Sequence, residues 1–156
     1  MKKMTFLLGV FLFTVFYGSA QNTVVGNWKP LRIVAPGLGE IPVEEGPLRE
    51  YVYRKTLEDK NGAPLTAEDS SDMEALVMQV SSQFGTMTMT FNANKTYTAQ
   101  LEGKSVTGRY VYNPAKKLLT TYPKGKPART AKVAFKNGEM MLENTKEKVT
   151  IILERF

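Results

Sequence analysis

Across residues 85–156 apolar and polar positions alternate in short runs, each closed by a turn signal, which is the pattern of consecutive antiparallel strands. Met87, Met89 and Phe91 alternate with Thr86, Thr88 and Thr90. After the turn Asn92-Ala93-Asn94-Lys95, the apolar positions Tyr97, Ala99 and Leu101 alternate with Thr96, Thr98 and Gln100. Gly103 turns the chain into Val106, Gly108, Tyr110 and Tyr112, and Asn113-Pro114 turns it into a strand over 117–122. After the Pro/Gly break at 123–127, Ala131, Val133 and Phe135 lead to Asn137-Gly138, a strong hairpin signal because both residues tolerate positive φ. Strands over 140–143 and 149–156 complete seven. An eighth lies upstream at Val24, Val25, Trp28, Leu31, Ile33 and Val34, with Pro30 predicting an edge or a bulge.

The remaining segments read differently. Residues 35–47 crowd Pro and Gly among acids, which is loop composition. In 48–57, Tyr51 and Tyr53 alternate with Val52 and Arg54, which predicts a short strand. One helix is expected from the cap Thr66 to about Phe84, with Asp69 three residues after the cap and Met73, Leu76, Val77, Val80 and Phe84 on one stripe. The predicted fold class is mainly β: an eight-stranded antiparallel meander barrel with one helix between its first and second strands. Eight strands suffice to close a small barrel whose interior is filled by side chains or holds one ligand. An open sheet or a sandwich is the alternative, since strand count alone does not prove closure.

The start of the chain sets a compartment. Lys2 and Lys3 precede an apolar run over 6–16 that ends in Tyr17-Gly18-Ser19-Ala20, the three-part pattern of a secretory signal peptide. Cleavage after Ala20 leaves 21–156 as one domain of ordinary size, periplasmic or secreted, with no transmembrane anchor after cleavage. With 0 Cys the chain offers no disulfide and no lipid-bearing thiol at the cut site. With 0 His as well, the commonest general base, the thiol nucleophile and the usual zinc ligands are missing. No paired carboxylates occur at a spacing that fixes them on one strand face and no Gly-x-Ser-x-Gly elbow appears, so a non-enzymatic role with no cofactor and no metal is expected.

Net charge is +6, and between Lys104 and Lys136 there is no acidic residue, so one face is expected to be electropositive. Arg109 alternates with Gly108 and Tyr110 and is expected to face outward. That surface is either a solvated strand face or an attractor for anionic ligands and glycans; an exported address argues against nucleic acid. Oligomeric state is not legible.

Gly26-Asn27-Trp28 in the first strand, Arg155 in the last, and the hairpin Phe91-Asn92-Ala93-Asn94-Lys95-Thr96-Tyr97 together resemble the small exported bacterial lipocalin-like (calycin-type) β-barrels. The resemblance implies a Trp28 indole across the closed end of the barrel beneath the Arg155 guanidinium, a contact worth roughly 0.5–2 kcal/mol. It implies a small apolar or amphipathic ligand inside. The helix departs from the pattern, lying after the first strand as in fatty-acid-binding proteins rather than late in the chain. The candidate ligand walls are Met87, Met89, Tyr97, Tyr110, Tyr112 and Val133; for each, ordinary core packing is the competing role. The alternative function is a cell-envelope interaction module that uses the basic strand surface and holds no internal ligand.

Overall fold

The computed structural model describes residues 23–156, so the leader expected over residues 1–20 lies outside the described residues. The elements run β1 (Gly26–Ala35), β2 (Gly39–Pro42), α1 (Glu45–Asp59), α2 (Ala67–Phe84), β3 (Thr88–Phe91), β4 (Thr96–Leu101), β5 (Lys104–Asn113), β6 (Leu118–Pro123), β7 (Arg129–Lys136), β8 (Glu139–Asn144) and β9 (Val149–Arg155). From β3 to β9 each strand pairs antiparallel with the next, and β1 pairs with β3 on one edge and β9 on the other. The β1–β9 ladder, from Trp28 opposite Arg155 to Val34 opposite Thr150, closes the sheet into the expected eight-stranded barrel. The irregularity expected at Pro30 is a β-bulge between Pro30 and Arg32, where the chain has an imide in place of a ladder donor.

Turn chemistry sets the registers. Asn137 (φ 53°) and Gly138 (φ 83°) both take left-handed backbone, as do Glu102 (φ 49°) and Gly103 (φ 72°), which gives tight hairpins whose twist matches the flanking strands.

Two expectations are corrected. Residues 35–47 are not only loop: Ala35 to Leu38 make a turn in which Leu38 N–H donates to the Ala35 carbonyl, and β2 then folds back on β1 with Ile41 opposite Ile33. Segment 48–57 is not a strand but lies inside α1. Leu48 and Val52, four residues apart, are its buried positions, and a buried pair at that spacing is satisfied by a helix face. The barrel therefore carries two helices between its first and second strands rather than one.

The α2 start is as the sequence predicts. The Thr66 side chain accepts from Asp69 N–H (3.2 Å), and the Asp69 carboxylate accepts from Thr66 N–H (2.7 Å). Lys60 also bonds Asp69, and Arg49 of α1 bonds Glu74 of α2. Part of the apolar stripe of α2 faces α1: Val77 forms a cluster with Leu48 and Val52, joined by Met73, Val80, Tyr51 and Ile41, while Leu76 is exposed. Ile41 shares the inward register of Ile33, so the helical pair packs on the inner side of β2, at the barrel end where β1 finishes. A separate, larger core fills the barrel: Val24, Trp28, Phe91, Tyr97, Tyr110, Leu119, Val133, Met140 and Leu153.

Candidate functional site

One end of the barrel is sealed by aromatic side chains. Trp28 has no exposed surface, and its Nε1–H donates to the Val24 carbonyl at 2.8 Å. The Arg155 guanidinium lies over the indole at 4.6 Å from the centroid and donates from Nη2 to the Thr23 carbonyl at 3.0 Å. Gly26 makes this possible: its φ of +143° disfavours a side chain, and a Cβ there would stand 3.0 Å from Arg155 Nη1. Each member of the Gly26–Trp28–Arg155 group thus has a contact that requires it. Phe91 packs edge-on against Tyr110 at 5.1 Å, and Trp28, Phe135 and Tyr112 continue the aromatic layer.

The inward faces of the opposite half are smaller and less enclosed. Met89, Ala99, Val106, Ala131, Leu142 and Ile151 share the inward register with the sealed core and are half-buried. Gly108 shapes this half. A Cβ there would meet the Tyr122 carbonyl oxygen at 2.2 Å and Tyr97 Cε1 at 2.9 Å, so the bare glycine lets the Tyr97 ring cross β5. The Tyr97 phenol then reaches the Thr121 side chain on β6, with the Arg129 cation nearby at the start of β7. Burial pushes the Tyr97 phenol above its ordinary pKa, while Thr121 and Arg129 pull it back only in part. It is a neutral hydrogen-bonding group at physiological pH. Arg129 pairs with Thr121, which pairs with Tyr110, so the arginine takes an inward register at the rim.

Five of the six sequence-named wall residues take the inward register, Met87 lying ahead of β3 in no ladder, and they separate by depth. Tyr110 and Val133 lie in the sealed core; the Tyr110 hydroxyl donates to the Asn92 carbonyl at 2.8 Å, and burial raises its pKa. Tyr112 packs edge-on against Phe135 at the same end. Tyr97 bridges the two halves, Met89 borders the less enclosed half, and Met87 is buried just ahead of β3, outside the main core. Ala99, Gly108 and Ala131 have the predicted strand parity but are not among the sequence-named walls, and Thr121 and Arg129 carry no site assignment from the sequence. The signal for Arg129 was its even spacing from Ala131 and Val133.

Two concavities mark the outer surface. One, of about 550 Å³, crosses β4, β5 and β6 among Thr96, Thr98, Thr107, Arg109, Tyr122 and Lys124. The other, of about 600 Å³, lies between β1 and the C-terminal part of α2, with Leu31, Val43 and Met78 in its wall. Among the described residues no group of three or more acidic side chains is placed to hold a metal ion, and no helix is long and apolar enough to cross a membrane.

A family described as a lipocalin-like domain (DUF4923) matches residues 46–154, from α1 through β9. No curated protein sequence matches the chain. Among solved structures, the crystal structure of a DUF4847 family protein from Bacteroides vulgatus ATCC 8482 is similar at a TM-score of 0.58 and 11% identity, covering 89% of this chain and 98% of that one. At that identity the likeness concerns the fold. With the family match spanning well over half of its length, the chain belongs to the lipocalin-like domain family DUF4923.

Proposed function

We propose that the protein is an exported binding protein that takes one small amphipathic molecule into the less enclosed half of its barrel. The observation that carries this reading is the contrast along one continuous inner wall: sealed aromatic packing around Trp28, Phe91 and Tyr110, then small, half-buried apolar positions at Ala99, Val106 and Ala131. An apolar tail lies along these residues and Met89, whose thioether adapts to irregular shapes. A carboxylate or similar head meets the Arg129 guanidinium and the Tyr97 hydroxyl, the charged and neutral donors of the rim. Lys2, Lys3 and the apolar run over 6–16 support export. The reading assigns no catalytic group and no cofactor.

A fluorescent long-chain fatty acid tests this reading. The parent protein is expected to bind it, Ala99→Trp and Ala131→Trp to lose it by filling the space, and Arg129→Gln to weaken the acid but not its methyl ester. Unchanged binding by both tryptophan variants, with folding verified by circular dichroism, would sink the interior site. The second reading, an interaction module of the cell envelope, draws support from the unpaired cations of the outer wall.

A further inference from the structure

The outer wall of β4, β5 and β6 carries a second feature. Thr96, Arg109 and Tyr122 lie side by side across three strands, and Thr98 and Thr107 form the adjacent row, with Lys124 N–H donating to the Thr107 carbonyl. All are on the outward register, opposite to buried Tyr97 and Tyr110. Together with Tyr97 and Gly108 they line the 550 Å³ concavity. Tyr122 is 49% exposed and stands beside two cations, so its ring face is open to a ligand.

The cations of this face are uncompensated. Lys29, Arg32, Arg49, Lys55, Lys60 and Lys132 each bond an acidic side chain. Arg109 and Lys124 have no carboxylate within 4.0 Å among the described residues, and the chain from Lys104 to Lys136 contains no acid to supply one. Two uncompensated cations, an exposed phenol face and a floor of threonine hydroxyls form a set with one complementary chemistry. The guanidinium fits a carboxylate in two-pronged geometry, the ring face fits the C–H face of a pyranose, and the hydroxyls fit sugar hydroxyls. The threonine row continues through Thr98 to Thr90, whose hydroxyl donates to the Asn27 side chain at 2.9 Å. An extended chain laid across the strands therefore meets a new hydroxyl about every 4.8 Å.

We propose that this outer face binds a carboxylated polysaccharide, with Arg109 and Lys124 holding uronate carboxylates and Tyr122 stacking on a sugar ring. The assignment is independent of the interior ligand.

Isothermal titration calorimetry against sodium polygalacturonate, its fully methyl-esterified form and polyglutamate tests it. Binding to polygalacturonate, loss on esterification and much weaker binding to polyglutamate are expected. Arg109→Ala and Tyr122→Ala should each weaken the affinity at least about tenfold, whereas Tyr122→Phe should retain it. These side chains are exposed, and an unchanged unfolding temperature confirms that each variant is folded. Failure to bind polygalacturonate, equal affinity for polyglutamate, or a Tyr122→Ala variant that binds like the parent would each overturn the proposal.

Discussion

Replacing Arg155 with Ala removes two contacts whose geometry is explicit. The guanidinium stands 4.6 Å from the Trp28 ring centroid, a cation–π contact worth roughly 0.5–1 kcal/mol for a partly exposed cation. It also donates to the Thr23 carbonyl at 3.0 Å, a charge-assisted bond whose net value is about 1.5 kcal/mol at the low end of its range, the end that suits a solvent-accessible site. Together they predict a loss of about 2 kcal/mol. For a domain of this size that lowers the unfolding temperature by roughly 6–8 °C. The protein has one tryptophan, so Trp28 emission reports on the perturbed spot directly. It should shift to the red as water reaches the indole. Thermal unfolding followed by circular dichroism gives the magnitude, and Arg54→Ala serves as a control because Arg54 makes no ion pair among the described residues. Arg155→Lys keeps the charge but loses the planar stack, and should fall between parent and Ala. Gly26→Ala places a Cβ against the guanidinium, so its cost should shrink but not vanish when Arg155 is also Ala, since the strain of φ +143° remains. A loss under about 0.5 kcal/mol with unaltered Trp28 emission would refute the account of how the barrel end is sealed.

Tyr110→Phe deletes the bond to the Asn92 carbonyl from a residue only 1% exposed, and should cost about 1–2 kcal/mol in urea unfolding without altering ligand affinity. Asp69 predicts an acid limb. Lys60 and then Thr66 hold its carboxyl near a pKa of about 2, below the ordinary 3.8. Its contribution to stability is therefore fully present above about pH 4 and is lost as pH falls toward 2; Asp69→Asn should flatten that limb of the stability profile. Tyr97 and Tyr110 predict the opposite limb: both phenols are raised by burial, so in ultraviolet titration they should ionise after the exposed tyrosines, and the stability they lend is lost as pH rises past the ordinary tyrosine value through their own.

The strands were legible from β3 to β9 because side-chain period and turn chemistry agree. Asn137-Gly138 takes the positive φ pair its residues favour, and every inward position of 89–112 keeps its parity. The closure of β1 on β9 was anticipated through Trp28 and Arg155, whose contact joins the two ends of the chain. The helix α1 was missed because its buried content is slight. Only Leu48 and Val52 are fully buried, while Tyr51-Val52-Tyr53-Arg54 imitates strand alternation, so tertiary packing against Val77 decides what local pattern does not. β2 was hidden by composition: Pro36, Gly37 and Gly39 supply a turn and β2 itself is four residues long, too short for a period to show. In the candidate site, parity identified the inward residues, but depth along the barrel depends on strand stagger. Sequence therefore could not separate sealed Tyr110 from half-enclosed Met89, nor foresee that Gly108 gives Tyr97 its path to Thr121.

The central claim, an amphipathic ligand in the less enclosed half of the barrel, is tested most directly by methionine-methyl NMR during titration with a long-chain fatty acid. Met89 lies beside the expected tail, Met140 lies in the sealed core with no exposed surface, and Met78 is 68% exposed on α2. A saturable shift of the Met89 methyl, with Met78 and Met140 still, is predicted. Shifts confined to Met78, or no shift of any inward methyl at saturation, would contradict it.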